Sequence, residues 1–218
     1  MFIPLLLAAV VGYLLGALPF GWLIARKFGV DIFEHGSKNP GATNVKRVLG
    51  QMFGKRGKRA GDLAFFLDAI KGAAAVSFAK VVAAEWILNR SSNVSLEAMQ
   101  ITGLVFALIG HSFSCWTRFK GGKGVATSAG GLVVLLPLPT LVGVVAWVAT
   151  FYAFRYVSLA SIVSAVALPA AAWLLPGTPP AFAILATVLG VFVTLRHRAN
   201  ITRLLKGTEN KFGKKPAA

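Results

Sequence analysis

Apolar and polar residues along this chain fall into long blocks and do not alternate. The first block, "FIPLLLAAVVGYLLGALPFGWLIA", runs from Phe2 to Ala25 without a charge, and six more follow at 63–84, 96–115, 125–136, 140–154, 157–175 and 181–195. A hydrocarbon core about 30 Å thick needs helices of roughly 17–25 residues, so the pattern predicts an all-α integral membrane protein with seven transmembrane helices. The fourth and fifth blocks are short, and "LPLP" at 136–139 breaks the pattern between them. They read equally as one bent hairpin that reaches the far surface incompletely. Short loops separate the blocks, and no repeat or low-complexity linker divides residues 1–218. A single polytopic domain is expected, with consecutive helices as antiparallel neighbours.

Composition agrees: 56% of the residues are hydrophobic and the mean hydropathy is +0.70, well beyond what a soluble domain requires. Charge adds a direction. Of the Lys and Arg residues, the stretch 26–61 holds nine, 116–124 three, 154–156 one and the tail after Leu195 seven, while the alternate loops hold only Arg90. Cations near short loops stay cytoplasmic, which puts the N-terminus outside and the C-terminus inside. The first block has no cation before it and "ARK" after it, so it reads as an N-out anchor and not a cleaved signal. The lone Cys115 excludes an internal disulfide, and the sequons "NRS" and "NVS" carry little weight. Much of the net charge of +16 is what positive-inside loops and anionic headgroups call for. "GKRGKR" (54–59) and the tail "KFGKKPAA" read as surface anchors of that kind.

Three segments ask for more, because each combines cations with glycines or small polar residues at the same predicted face. In "HGSKNPGATNVKR" (35–47), Ser37, Asn39, Thr43 and Asn44 offer neutral donors. Gly36 and Gly41 let backbone amides turn, and Arg47 adds a fork suited to phosphate. It reads as an anion cradle or as an ordinary turn. In "RFKGGKGVATS" (118–128), Lys120 and Lys123 surround Gly121, Gly122 and Gly124 at a helix start, a phosphate site built from amides and a helix N-terminus. The nucleotide-binding pattern G-x-x-x-x-G-K-[ST] fails here. In "RHRANITRLLKG" (196–207), a helical pattern continues past the last block and sets His197 and Asn200 three apart on one face. Asp68 and Lys71, also three apart, read as an internal ion pair between helices.

No metal-ligand cluster, no G-x-S-x-G elbow and no H-x-x-x-x-D pattern occurs. Chemistry at this face must therefore rest on anion binding, with no metal or cofactor.

These three segments, with "RYVSLAS" (155–161), resemble in order and placement the bacterial integral-membrane acyltransferases that move a fatty acyl group from acyl-phosphate to glycerol 3-phosphate. The resemblance covers essentially the whole chain and implies a seven-helix, N-out protein of the bacterial inner membrane. Its expected product is 1-acyl-glycerol 3-phosphate (lysophosphatidic acid), for phospholipid biosynthesis. By the same resemblance Ser37, Arg47, Lys123, His197 and Asn200 handle glycerol 3-phosphate. Thr43, the glycines around Lys123 (Gly121, Gly122, Gly124) and Ser158 hold the acyl-phosphate, Asn39, Gly41 and Asn44 complete the substrate loop, and Ser37, His197 and Asn200 are the catalytic candidates. Two phosphates must converge in that reaction, so a loop of cations and amides without a carboxylate suits it. Either His197 or the acceptor's own phosphate can take the hydroxyl proton, and the phosphate, held by His197, is the preferred base. A transporter for a phosphorylated solute is the alternative, although it would need more polar residues within the spans. Membrane lipid is the expected surrounding, no nucleic-acid partner is expected, and the sequence leaves the oligomeric state open, a monomer being plausible.

Overall fold

The computed structural model describes residues 2–88 and 94–213. Arg90, the sequon asparagines Asn89 and Asn93, and Lys214 and Lys215 of the basic tail lie outside the described residues.

Pro19 shapes the first departure from the expected pattern. Lacking an N–H and clashing with the preceding turn, a proline interrupts a helix, and the first apolar block divides into α1 (Phe2–Ala17) and α2 (Phe20–Lys27). The second departure is larger. The stretch 26–61, read as a loop, turns helical at Ala42, and the helix α3 extends over Ala42–Leu88. It folds at Gly54, whose φ of 58° and ψ of −132° lie outside the helical region. The two arms, 42–53 and 55–88, run back along each other. A Cβ on Gly57 would stand 1.9 Å from the Leu49 carbonyl oxygen, and one on Gly61 2.3 Å from Lys46 Cα. Lys46 pairs with Asp62 across the same junction. Four-residue glycine spacing permits this backbone approach. It leaves no apolar periodicity, which is why the basic stretch reads as a loop in the sequence.

The helix α4 (Leu96–Ser112), a 3₁₀ turn at Cys115–Thr117 and α5 (Val125–Leu135) complete a first compact unit, Met1–Leu135. Small residues set its packing. A Cβ on Gly16 would lie 2.0 Å from Ala107 O on α4, and one on Gly72 would lie 2.0 Å from Thr127 O on α5. The second unit, Leu136–Ala218, holds α6 (Pro137–Phe154), α7 (Val157–Leu174), α8 (Pro180–Arg196) and α9 (Arg198–Leu205). There α7 packs against both α6 and α8, and Gly190 meets the Ala165 carbonyl in the same way. Leu138, Leu141 and Val145 on α6 and Val188 and Val191 on α8 are exposed, as lipid-facing side chains are.

Among the described residues, four segments are long and apolar enough to cross a bilayer: Ile3–Lys27, Leu96–Thr117, Pro137–Phe154 and Val157–Leu174. A fifth is gained if α8 and α9, bent by 58°, count as one. The helix α5 is too short by itself, since eleven residues rise only about 16 Å. The arm 55–88 carries Asp68, Lys71 and Lys80, which dilute its apolar character.

The close approach at Gly57 generates a stability prediction. Gly57→Val must push the two arms apart and should cost about 1–3 kcal/mol, the range for overpacking. Lys55→Ala on the exposed side should stay within about 0.5 kcal/mol. Thermal unfolding in detergent measures both, and a Gly57→Val protein as stable as its parent would refute the packed hairpin.

Candidate functional site

In the first unit, two asparagines organise the segment 35–47. Buried Asn44 accepts the Ser37 N–H on Oδ1 at 2.9 Å and donates from Nδ2 to the carbonyls of His35 and Asn39, both at 3.0 Å. With both amide protons committed, Asn44 holds the loop in shape. Asn39 accepts the Gly41 N–H at 2.8 Å, which sets up the start of α3, and its Nδ2 donates to the Gly121 carbonyl at 3.4 Å. That last contact joins the first sequence segment to the second. Gly36 is at φ 60°, and a Cβ there would stand 2.3 Å from Asn44 Oδ1. Ser37 is exposed, while Thr43 and Arg47, on the first turns of α3, are half-buried.

The glycine segment sits on the end of α4. The Gly122 N–H donates to the His111 carbonyl at 3.1 Å. Cβ atoms on Gly121, Gly122 and Gly124 would fall 2.1 Å from His111 O, 2.2 Å from His111 Nε2 and 2.1 Å from Leu108 Cδ1. These glycines are thus required by protein contacts as well as by any ligand. Gly124, at φ 85°, leads into α5, with Ser128 N–H donating to its carbonyl at 2.8 Å. Lys123 is half-buried at that helix start. Among the described residues, the hydroxyls of Ser112, Thr127 and Ser128 around this junction are buried without a hydrogen-bond partner. A helix N-terminus with a cation and spare hydroxyls can bind an anion.

In the second unit, the expected continuous helix after the last span bends at His197, which ends α8 and precedes α9. Buried His197 places Nδ1 2.7 Å from the Val193 carbonyl. A carbonyl only accepts, so Nδ1 carries the proton, and in the neutral ring Nε2 keeps its lone pair. Asn200 is on the first turn of α9, its N–H donating to the His197 carbonyl at 2.8 Å. Its Nδ2 donates at 2.7 Å to Glu209 Oε1. The Ser158 hydroxyl donates to the same oxygen at 2.9 Å, and Arg203 Nε reaches Oε2 at 2.7 Å.

Glu209 is the residue that sequence reasoning missed. It is the sole acid after Glu97 and stands in a cation-rich tail, a signal that it has a fixed partner. Burial would raise its carboxyl, but the hydrogen bonds from Asn200, Arg203 and Ser158, with the Arg203 charge, outweigh that and hold it below its ordinary value. So placed, the carboxylate anchors α7 and α9 and makes a poor proton acceptor.

The family model described as glycerol-3-phosphate acyltransferase matches residues 6–207. A glycerol-3-phosphate acyltransferase of Mesorhizobium japonicum is 43% identical over 97% of each chain. One of Agrobacterium fabrum is 40% identical over 97% of this chain and 93% of that protein. Among solved structures, the glycerol 3-phosphate form of PlsY (YgiH), an integral membrane glycerol 3-phosphate acyltransferase, superposes with a TM-score of 0.80 at 36% identity, covering 96% of each chain. Its lysophosphatidic acid form gives 0.78 at 35%, covering 96% of this chain and 95% of that one.

The Glu209 cluster predicts a pH signature. Because its folded pKa is depressed, the contribution to stability is complete above the unfolded carboxyl value of about 4.3 and is lost as pH falls through the lower folded value. Glu209→Gln should therefore lower stability at pH 7 by about 1.5–3 kcal/mol, the scale of hydrogen bonds to a charged group. The gap to the parent should close on acidification below pH ~4. A gap that is absent at pH 7, or unchanged by acid, would contradict the assignment.

Proposed function

The chain belongs to the glycerol-3-phosphate acyltransferase family and is a multi-pass membrane acyltransferase, and we propose that its donor is an acyl-phosphate. The acyl group passes to the acceptor's primary hydroxyl, giving 1-acyl-glycerol 3-phosphate and inorganic phosphate. The observation that supports this reading most is the Asn39–Gly121 contact. It sets a cation-bearing turn beside a glycine loop at a helix start, a pair of anion cradles in one unit. The glycerol 3-phosphate and lysophosphatidic acid forms of PlsY carry the acceptor and product chemistry.

In this reading Arg47 and Lys123 bind phosphate oxygens, with Ser37, Asn39, Gly41, Thr43 and Asn44 forming or supporting the turn. Gly121, Gly122 and Gly124 shape the loop, and the spare hydroxyls of Thr127 and Ser128 can turn toward a bound anion. Cations offset the repulsion between two phosphates and stabilise the charge that grows on the leaving group and the tetrahedral oxyanion. Positioning hydroxyl and carbonyl can contribute as much as about 7–11 kcal/mol where orientation is good. In the second unit, Ser158 and Asn200 are held by Glu209 in support of the substrates. The chain sits in the bacterial inner membrane as one polytopic domain, crosses seven times with its N-terminus outside, and works at the cytoplasmic face.

Purified protein given acyl-phosphate and glycerol 3-phosphate should release phosphate only when both are present. Lys123→Ala and Arg47→Ala should each lower kcat/KM by about two orders of magnitude, a few kcal/mol of transition-state binding. Lys55→Ala should do little. Phosphate release that needs no acceptor would make Ser37 an acylated nucleophile, and no release at all would favour a transporter.

Topology is tested by thiol labelling in a Cys115→Ser background. A cysteine at position 58 should react with an impermeant reagent only in opened cells, and one at position 92 should react in intact cells. The reverse pattern would invert the whole arrangement.

The Val193 carbonyl orients the His197 ring through Nδ1, and we propose that the acceptor's own phosphate, held by His197, takes the hydroxyl proton. His197→Gln should raise the KM for glycerol 3-phosphate while retaining a measurable kcat, and the acidic limb of the pH profile should shift when the acceptor's phosphate is replaced by a phosphonate of different pKa. A limb that stays fixed across acceptors and vanishes in His197→Gln with nearly all turnover would make His197 the base.

A further inference from the structure

The ion pair of Asp68 and Lys71 is buried beneath the glycine loop. Lys71 Nζ lies 2.8 Å from Asp68 Oδ1 and donates at 2.8 Å to the Leu18 carbonyl, at the break that Pro19 makes between α1 and α2. Asp68 Oδ1 is also 3.7 Å from His111 Nδ1, on the last turn of α4. Asp68 and Lys71 are 3% exposed and His111 9%. Burying this many charges against helices carries a desolvation cost, and apolar replacements of similar volume often serve stability as well or better. Packing alone gives no reason to keep them.

Their position supplies one. The carbonyl of His111 receives the Gly122 N–H, and its ring edge at Nε2 occupies the space where a Gly122 side chain would begin. Whatever fixes His111 therefore fixes the loop that carries Lys123. The end of α4 is also tied to α1 through the Ser114 hydroxyl, which donates to the Ala17 carbonyl. The two carbonyls flanking the helix break, Ala17 and Leu18, are thus both engaged by this polar layer.

We propose that Asp68, Lys71 and His111 are positioning residues that set the height and tilt of the loop Gly121–Gly124, and through it the Lys123 ammonium. Asp68 holds the His111 ring from its Nδ1 side while Lys71 holds Asp68 and the helix break. The ring's opposite edge is the floor on which Gly122 rests. The inference rests on the reading that Lys123 binds the acceptor's phosphate.

The test is a double-mutant cycle on the purified full chain, reading KM for glycerol 3-phosphate, KM for acyl-phosphate, kcat and the melting temperature. His111→Asn keeps a polar group near Asp68 but withdraws the ring edge, and Gly122→Ala places a methyl against it. Each single change should raise KM for glycerol 3-phosphate at least fivefold with kcat within about threefold. The double variant should be no worse than the poorer single one, because the methyl then has room. Asp68→Asn should raise the same KM, and it decides the matter with Gly122→Ala if His111→Asn does not accumulate. Multiplicative single effects, or a change confined to melting temperature and kcat, would overturn the proposal. Lys123→Ala serves as the control. If it raises KM while the cycle is multiplicative, the positioning role alone fails; if it leaves KM unmoved, the reading of Lys123 fails and this inference falls with it.

Discussion

One asparagine side chain carries much of the first unit's polar architecture. Asn39 spends its oxygen on Gly41 and its amide on Gly121, so the turn that begins α3 and the loop that begins α5 are held at one spacing. Segments 82 residues apart in sequence are thereby joined through a single side chain. Asn44 completes the arrangement by filling the interior of its own turn. Around it, Ser37 is exposed, and Arg47 and Lys123 are half-buried.

The same logic of satisfied polar groups operates in the second unit with a carboxylate at its centre. Glu209 gathers Ser158 from α7 with Asn200 and Arg203 from α9. Three donors share its charge here, and its lone pairs are spent on positioning. His197 is oriented within its own helix, its Nδ1–H donating to the Val193 carbonyl.

Much of this was legible because membranes impose a simple code. The apolar blocks after residue 96 became α4 to α8 with ends shifted by at most a few positions, since block length reports helix length directly. The first block remains long and apolar enough to cross, but its division into two helices was hidden because Pro19 is apolar and so does not interrupt a hydropathy pattern, although it interrupts a helix. The stretch 42–61 misled for the opposite reason: its helices meet backbone to backbone through Gly57 and Gly61, and hydropathy is silent about such contacts. Among site residues, the glycine loop could be read from composition, because three glycines at a helix start imply close approach. That the approaching partner would be His111 could not, because it depends on where α4 ends in space. Glu209 was hidden by distance along the chain from Ser158, which is 51 positions away.

The central claim is that Arg47 and Lys123, carried by the two segments that Asn39 joins, bind the acceptor's phosphate together. The direct measurement is calorimetric binding of glycerol 3-phosphate to the purified protein without any acyl donor, for the parent chain and for Asn39→Ala. Removing that bridge should weaken binding by about tenfold, or about 1.4 kcal/mol, in a protein that stays folded at a lower melting temperature. Equal affinity in a folded Asn39→Ala protein would contradict the account.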